Sequence, residues 1–232
     1  MNRPYIICHM TTSIDGKVTG KFLETAEAVP AIEVYYEINR AYKADAFACG
    51  RVTMEGSFTQ DIEPDLAAFE NVQITREDYI ADEDSTYFAV AFDRQGRLGW
   101  QGSSIKDEDP GYDNAHIVEV VLEDVSDAYL AYLQSINVSY IFAGNGEMDL
   151  PLALGKLVKL FRIKKLLLEG GSIINGAFLK ADVIDELSLV IAPVIGSETD
   201  KSLFEPARLS SYYLADGKQY EASVLWLNYK KK

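Results

Sequence analysis

The chain has 232 residues, 36 of them acidic and 22 basic, for a formal net charge of −14. That balance argues against nucleic acid or an anionic membrane surface as a partner, and it obliges any phosphate-bearing ligand to find a local basic pocket. A hydrophobic fraction of 48% describes a globular chain able to bury a large core, most simply as one domain over 1–232. No run approaches the roughly 18 apolar residues of a membrane helix, and no signal pattern opens the chain, so a cytoplasmic location is expected.

Tyr5 to Met10 (YIICHM) reads as a first, buried strand running into Thr11-Thr12-Ser13-Ile14-Asp15-Gly16-Lys17. Such a strand end delivers hydroxyls, a carboxylate and an ammonium into one crevice. An Asp-Gly turn with a solvated lysine is the alternative. Residues 19–30 read as a loop, and Ala31 to Lys43 as an amphipathic helix with Ile32, Tyr35, Tyr36 and Ile38 inward. Asp45 to Gly50 (DAFACG) is the second strand, and Gly50-Arg51-Val52-Thr53 follows at once. Arg51 offers a fork of donors suited to phosphate, and Thr53 a hydroxyl. Residues 58–86 are polar, acidic and weakly periodic, and read as a surface excursion.

Thr86 to Asp93 (TYFAVAFD) is a strong strand, with a basic turn from Arg94 to Trp100 after it. Ile117 to Leu122 and Ser139 to Ala143 are further strands, and Asp124–Asp127 opens a helix over Ala128 to Ser135 between them. Leu150 to Phe161 is a helix. Tyr220 to Tyr229 (YEASVLWLNY) closes the chain as one long strand, with Val224, Leu225 and Trp226 inward and Lys230–Lys232 a solvated tail. Cys8 and Cys49 fall inside strands and read as core residues rather than a disulfide.

The stretch from Lys164 to Gly196 holds the most chemistry. Leu166-Leu167-Leu168 is a short buried strand, Glu169-Gly170-Gly171 its end, and Ser172 to Lys180 a helix with Ile173, Ile174, Ala177 and Phe178 at helical spacing. Leu187 to Ala192 is the strand that follows. Open α/β sheets bind ligands at the carboxyl ends of their strands, and a helix N-terminus offers free N–H groups to a phosphate. Glycine lets the backbone approach such an anion. A plain Gly-Gly turn is the bland alternative.

The order LLLEGG…NGAFLKADVIDELSLVIAPVIG resembles the signature of the riboflavin-biosynthesis reductase family, the C-terminal reductase domain of a bifunctional deaminase/reductase, within the dihydrofolate reductase-like superfamily. Ser13-Ile14-Asp15-Gly16-Lys17 is similar to that family's N-terminal signature, with Ile14 in place of leucine. Gly50-Arg51-Val52-Thr53 resembles the superfamily's Gly-Arg-x-Thr turn, which opens a short helix against the cofactor. The resemblance implies an α/β, dihydrofolate reductase-like three-layer fold: a mixed, mostly parallel sheet with helices on both faces. Alternating strands and helices support α/β independently. It also implies an NADPH-dependent oxidoreductase that passes hydride to C1′ of a phosphoribosylaminopyrimidine-like small molecule, and a homodimer.

Carried over by resemblance, Asp15, Lys17 and Glu169 are the catalytic candidates. Thr12, Gly50, Arg51, Thr53, Asp93, Arg97, Gly170, Gly171, Ser172 and Ile173 are cofactor-binding candidates. Glu24, Arg40 and again Glu169 are candidates for substrate contact, with a helix-dipole role as the alternative for Arg40. Arg94 and Arg97 stand where an adenosine 2′-phosphate would be read, favouring NADPH over NADH; a solvated turn explains them as well. The folate-reducing cousins often carry a cis Gly-Gly peptide, so an unusual peptide is expected at Gly170–Gly171. Residues 19–30 and 58–86 depart from the family pattern. They leave open a same-fold reductase of a pterin or carbonyl compound, and a non-catalytic nucleotide-binding regulator.

Other chemistries find little support. His9 and His116 are the only histidines, so no metal site is expected, and His9 reads as a satisfied core histidine. The zinc deaminase pattern, a P-loop and a G-x-S-x-G elbow are absent from the sequence. Gly144-Asn145-Gly146 lacks the third glycine of a Rossmann fingerprint.

Overall fold

The computed structural model describes residues 3–232. In chain order the elements begin with β1 (Tyr5–Thr12), α1 (Val29–Tyr42), β2 (Ala46–Gly50), α2 (Arg51–Met54) and β3 (Phe88–Phe92). There follow β4 (His116–Val121), α3 (Asp127–Ser135), β5 (Ser139–Phe142), α4 (Leu150–Phe161) and β6 (Lys165–Leu168). The last are α5 (Ser172–Lys180), β7 (Glu186–Ile191), β8 (Tyr212–Gln219) and β9 (Leu225–Lys231). They fall into two compact units, residues 3–4 with Asp45–Lys164, and Tyr5–Ala44 with Lys165–Lys232.

The first unit is built on four parallel strands in the order β5-β4-β3-β2, in register from Ala46↔Phe88 to Gly50↔Phe92 between β2 and β3. Every residue of β3 (FAVAF) and β4 (HIVEVV) is buried, as parallel strands require when both faces are covered. Helix α3 is capped by Ser126, which accepts the Tyr129 N–H, and α4 by Asp149, which accepts from Leu152. The stretch 58–86 is largely exposed, with one 3-10 turn at Ala67–Phe69. It is also fastened to β5, where Tyr79 pairs with Tyr140 in an antiparallel bridge.

The second unit orders its strands β6-β1-β7-β9-β8. Strands β6, β1 and β7 run parallel, with Cys8 opposite Leu168 and Thr12 opposite Ile191, and β9 and β8 add antiparallel. Its core packs Ala31, Val34 and Ile38 of α1 on Val190, Ala192 and Val224. The inward face of α1 therefore differs from the one expected. Ile32, Tyr35 and Tyr36 are only half-buried, while Val34 and Asn39 are buried. The helix starts two residues earlier, at Val29, and small or branched side chains let it approach the sheet closely.

His9 is a satisfied core histidine. Its Nε2 lies 3.0 Å from the Tyr35 carbonyl, which can only accept, so Nε2 carries the proton and Nδ1 accepts from Ser188 Oγ at 2.9 Å. The ring stacks on Tyr35, and burial lowers its pKa to about 4. Cys8 and Cys49 are buried and not joined in a disulfide.

The C-terminus corrects the expectation of a single long strand. A separate strand, β8, precedes the turn, and Lys230 and Lys231 belong to β9 rather than to a tail. Leu225 is 40% exposed and faces outward, whereas Val224 is buried. Strand β8 (YYLADGKQ) is exposed over almost its whole length, so it shows no apolar alternation and is held by main-chain pairing to β9. Among the described residues, no helix is long and apolar enough to cross a membrane.

Candidate functional site

In the second unit, β6 ends at Leu168 and hands over to Glu169, Gly170 and Gly171 before α5 begins. The Gly170–Gly171 peptide is cis, as the resemblance led us to expect. Gly170 sits at φ +94°, and a Cβ there would stand 3.0 Å from Met10 Cε on the neighbouring β1. The dihedral favours glycine, and a Cβ would also crowd the Met10 side chain. Gly171 is the N-cap of α5 and offers no side chain to the first-turn N–H groups.

Two polar atoms in that first turn stand out. Ser172 Oγ and Asn175 Oδ1 are buried and have no hydrogen-bond partner. Asn175 is oriented by its Nδ2, which donates to the Leu203 carbonyl at 3.2 Å. Leaving such atoms unpaired costs about 1–3 kcal/mol each. A hydroxyl that can donate, a carbonyl that can only accept and an uncapped helix N-terminus match a group bearing anionic oxygens and hydroxyl or amide donors. A dinucleotide pyrophosphate with its ribose fits that description. Ile173, one of the apolar residues at helical spacing and a cofactor-binding candidate, is 69% exposed; Asn175, Gly176 and Phe178 take the buried face.

Glu169 is 7% exposed, and its Oε1 accepts from Asn39 Nδ2 of α1 at 2.7 Å. Asn39 was not a candidate from sequence. Its signal would have been a polar residue beside Ile38 in a stripe that proves to be buried. Thr12 is buried at the end of β1. Beyond it, Asp15 Oδ1 accepts the Ser13 hydroxyl at 2.6 Å and the Gly196 N–H at 2.8 Å, and these bonds lower its pKa. Lys17 Nζ donates to the Asp200 carbonyl at 3.1 Å. The contacts of Asp15 and Lys17 therefore run to the 196–200 loop. Glu24 and Arg40 are both exposed, the first in a 3-10 turn at Lys21–Glu24 and the second in the last turn of α1.

In the first unit, a cavity of about 580 Å³ opens at the carboxyl ends of the parallel strands, lined by Arg51, Asp93, Arg94, Asp124, Ser126 and Gly146 among others. Arg51, just past Gly50 at the end of β2, is paired with Glu55 one turn on, and Thr53 is half-buried in α2. Arg94 Nη2 donates to the Gly146 carbonyl at 2.7 Å. Asp93 is wholly buried, and its carboxylate accepts the N–H groups of Gln95, Arg97 and Leu98, so it shapes the turn. Arg97 points to solvent outside the lining; Arg94 is the guanidinium of this turn that faces the cavity. Glu119 on β4 is buried against Trp100 Nε1 and the Tyr129 hydroxyl.

Strand ends that carry a Gly-Gly turn and a helix over a mixed, mostly parallel sheet define an α/β fold of the dihydrofolate reductase-like type. Residues 4–224 match the model of the RibD C-terminal domain, and the chain belongs to that family. Among solved structures it is similar to a pyrimidine reductase-like protein from Corynebacterium diphtheriae, at 18% identity and a TM-score of 0.68, covering 100% of this chain and 93% of that one. It is similar to Acinetobacter baumannii RibD at 19% identity and a TM-score of 0.69, where it covers 59% of that longer chain and all of its own. It is also similar to the Saccharomyces cerevisiae riboflavin biosynthesis reductase Rib7, at 12% identity and a TM-score of 0.64, with 100% and 91% covered. Among curated proteins there is no match.

Proposed function

We propose that the protein is an NADPH-dependent reductase of a phosphoribosylaminopyrimidine-like substrate, acting in riboflavin biosynthesis as a cytoplasmic homodimer. Family membership supports the reading, and the observation that carries it is the uncapped N-terminus of α5 with Ser172 Oγ and Asn175 Oδ1 buried and unpartnered. NADPH, when bound, would supply hydride to C1′ of the ribose, opening it to a ribityl chain. Gly170, Gly171, Ser172 and Ile173 of the second unit, with Thr12, are assigned to the cofactor. Gly50, Arg51, Thr53 and Asp93 are assigned to it in the first unit, and Arg94 takes the part expected of Arg97. Glu169, held by Asn39, would orient the substrate, and Glu24 and Arg40 would contact it.

Asp15 remains a carboxylate at neutral pH, because its hydrogen bonds favour the charged form. Its part is electrostatic, beside the Lys17 ammonium, rather than that of a proton donor. The test is NADPH oxidation with a panel of phosphoribosylaminopyrimidine, pterin and carbonyl substrates. Turnover of the first, reduced about 100-fold or more in Glu169→Gln, is expected for a group that positions the reacting carbon. Turnover of a pterin alone would replace the substrate, and NADPH binding without turnover of any would favour the regulator. Light scattering checks the dimer, and a monomer at micromolar concentration would contradict it.

A further inference from the structure

Residues 58–86 enter none of these assignments, yet one of their contacts reaches the wall of the first unit's cavity. Arg76 Nη2 donates to the Val125 carbonyl at 3.0 Å and lies 2.7 Å from Asp127 Oδ1. The second contact is an ion pair rather than an aligned hydrogen bond, since Asp127 Oδ1 has no hydrogen-bond partner. The guanidinium also stands 5.9 Å from the centre of the Phe142 ring. Val125 and Ser126, the residues bracketed by these contacts, line the cavity, and Ser126 caps α3. Away from the lining, Gly99 of the turn that follows Asp93 packs against the Ile62 backbone; a Cβ there would meet the Ile62 carbonyl at 2.2 Å.

The same stretch is anchored along β5. Asp78 Oδ1 accepts the Phe142 N–H at 2.9 Å and Lys156 Nζ at 2.8 Å. Tyr79 and Tyr140 exchange two backbone hydrogen bonds of 2.9 Å, and Ala81 N–H donates to Ser139 Oγ at 2.9 Å. A strap fixed at the sheet edge thus reaches the cavity wall at Val125.

We propose that residues 58–86 fix one wall of this cavity, with Arg76 the positioning residue that holds the Val125–Asp127 turn, and Ser126 with it, against a bound nucleotide. The inference rests on the reading that the cavity takes the dinucleotide. Arginine suits the task because its planar fork serves a carbonyl and a carboxylate at once, which a lysine ammonium does less well. Arg76 touches the wall and not the ligand, so its loss loosens binding while the chemistry at saturation is retained.

The experiment is NADPH titration by protein fluorescence, with melting temperature read in parallel, for wild type, Arg76→Ala, Arg76→Lys and Asp78→Ala. Arg76→Ala is expected to raise the dissociation constant about tenfold, and Arg76→Lys to recover part of it. KM for NADPH rises with kcat unchanged. Asp78→Ala, at the anchor, lowers the melting temperature and leaves affinity within about twofold. Should Arg76→Ala fail to fold, Asp127→Asn, which removes the ion pair alone, carries the same expectation. Unchanged affinity in Arg76→Ala overturns this inference and leaves the cofactor reading intact; a wild type that binds no NADPH overturns both.

Discussion

Glu119 lies wholly buried on β4, and desolvation pushes its pKa well up, with the charge of Asp93 adding to the shift. Its folded value stands above the unfolded one, so its contribution to stability is full at low pH and is lost as pH rises through the folded value. Glu119→Gln keeps the acceptor for Trp100 and should gain on wild type as pH rises from about 4 to 8 in urea denaturation. Parallel pH profiles would contradict a perturbed Glu119. His9 works in the opposite sense. Its folded pKa of about 4 lies below the ordinary histidine value of 6.5, so its stabilisation is present above 6.5 and lost as pH falls towards 4. The loss is on the order of 3 kcal/mol and should be missing from the pH profile of His9→Gln. Asn39→Leu removes the 2.7 Å donor to Glu169 and should cost about 1–3 kcal/mol in denaturant, with turnover falling as well. Wild-type activity in that variant would deny Glu169 its role.

Strands buried on both faces read as nearly continuous apolar runs, which is why β1, β3 and β6 and the helix that follows β6 were legible as sequence. The strand–Gly-Gly–helix unit was legible as structure too, because the positive φ that calls for glycine at Gly170 is local. Strand β8 was not, since exposure on both faces leaves no pattern. Apolar spacing along α5 did not show which face is buried, for a different reason. Gly176 lies against the Glu205–Pro206 backbone, where a Cβ would stand 2.4 Å from Glu205 C, so the helix is turned towards its smallest residue and Ile173 is left outside. Gly176→Ala should therefore destabilise by about 1–3 kcal/mol, read from the denaturation midpoint; an unchanged midpoint would contradict that packing. Asn39 was out of reach for a related reason, and so was the choice between Arg94 and Arg97. Which polar residue on an element faces a site is decided by tertiary packing, not by spacing along the chain.

The whole molecule carries a charge of −14, so an anionic cofactor must be held by local donors against an unfavourable field. Each unit has such a place: Arg51 and Arg94 at the cavity of one, and the uncapped start of α5 in the other. The central claim is that α5 is built for a ligand, and Ser172→Ala tests it with least ambiguity. Removing a buried hydroxyl that has no partner leaves the unliganded fold as stable as before or slightly more so. If that hydroxyl serves the cofactor, the same change must weaken binding. The measurement is NADPH titration by fluorescence alongside the melting temperature, for wild type and Ser172→Ala. An affinity lower by about tenfold with no loss in melting temperature is the predicted result. Equal affinity in the two proteins, or no NADPH binding by wild type, would contradict it.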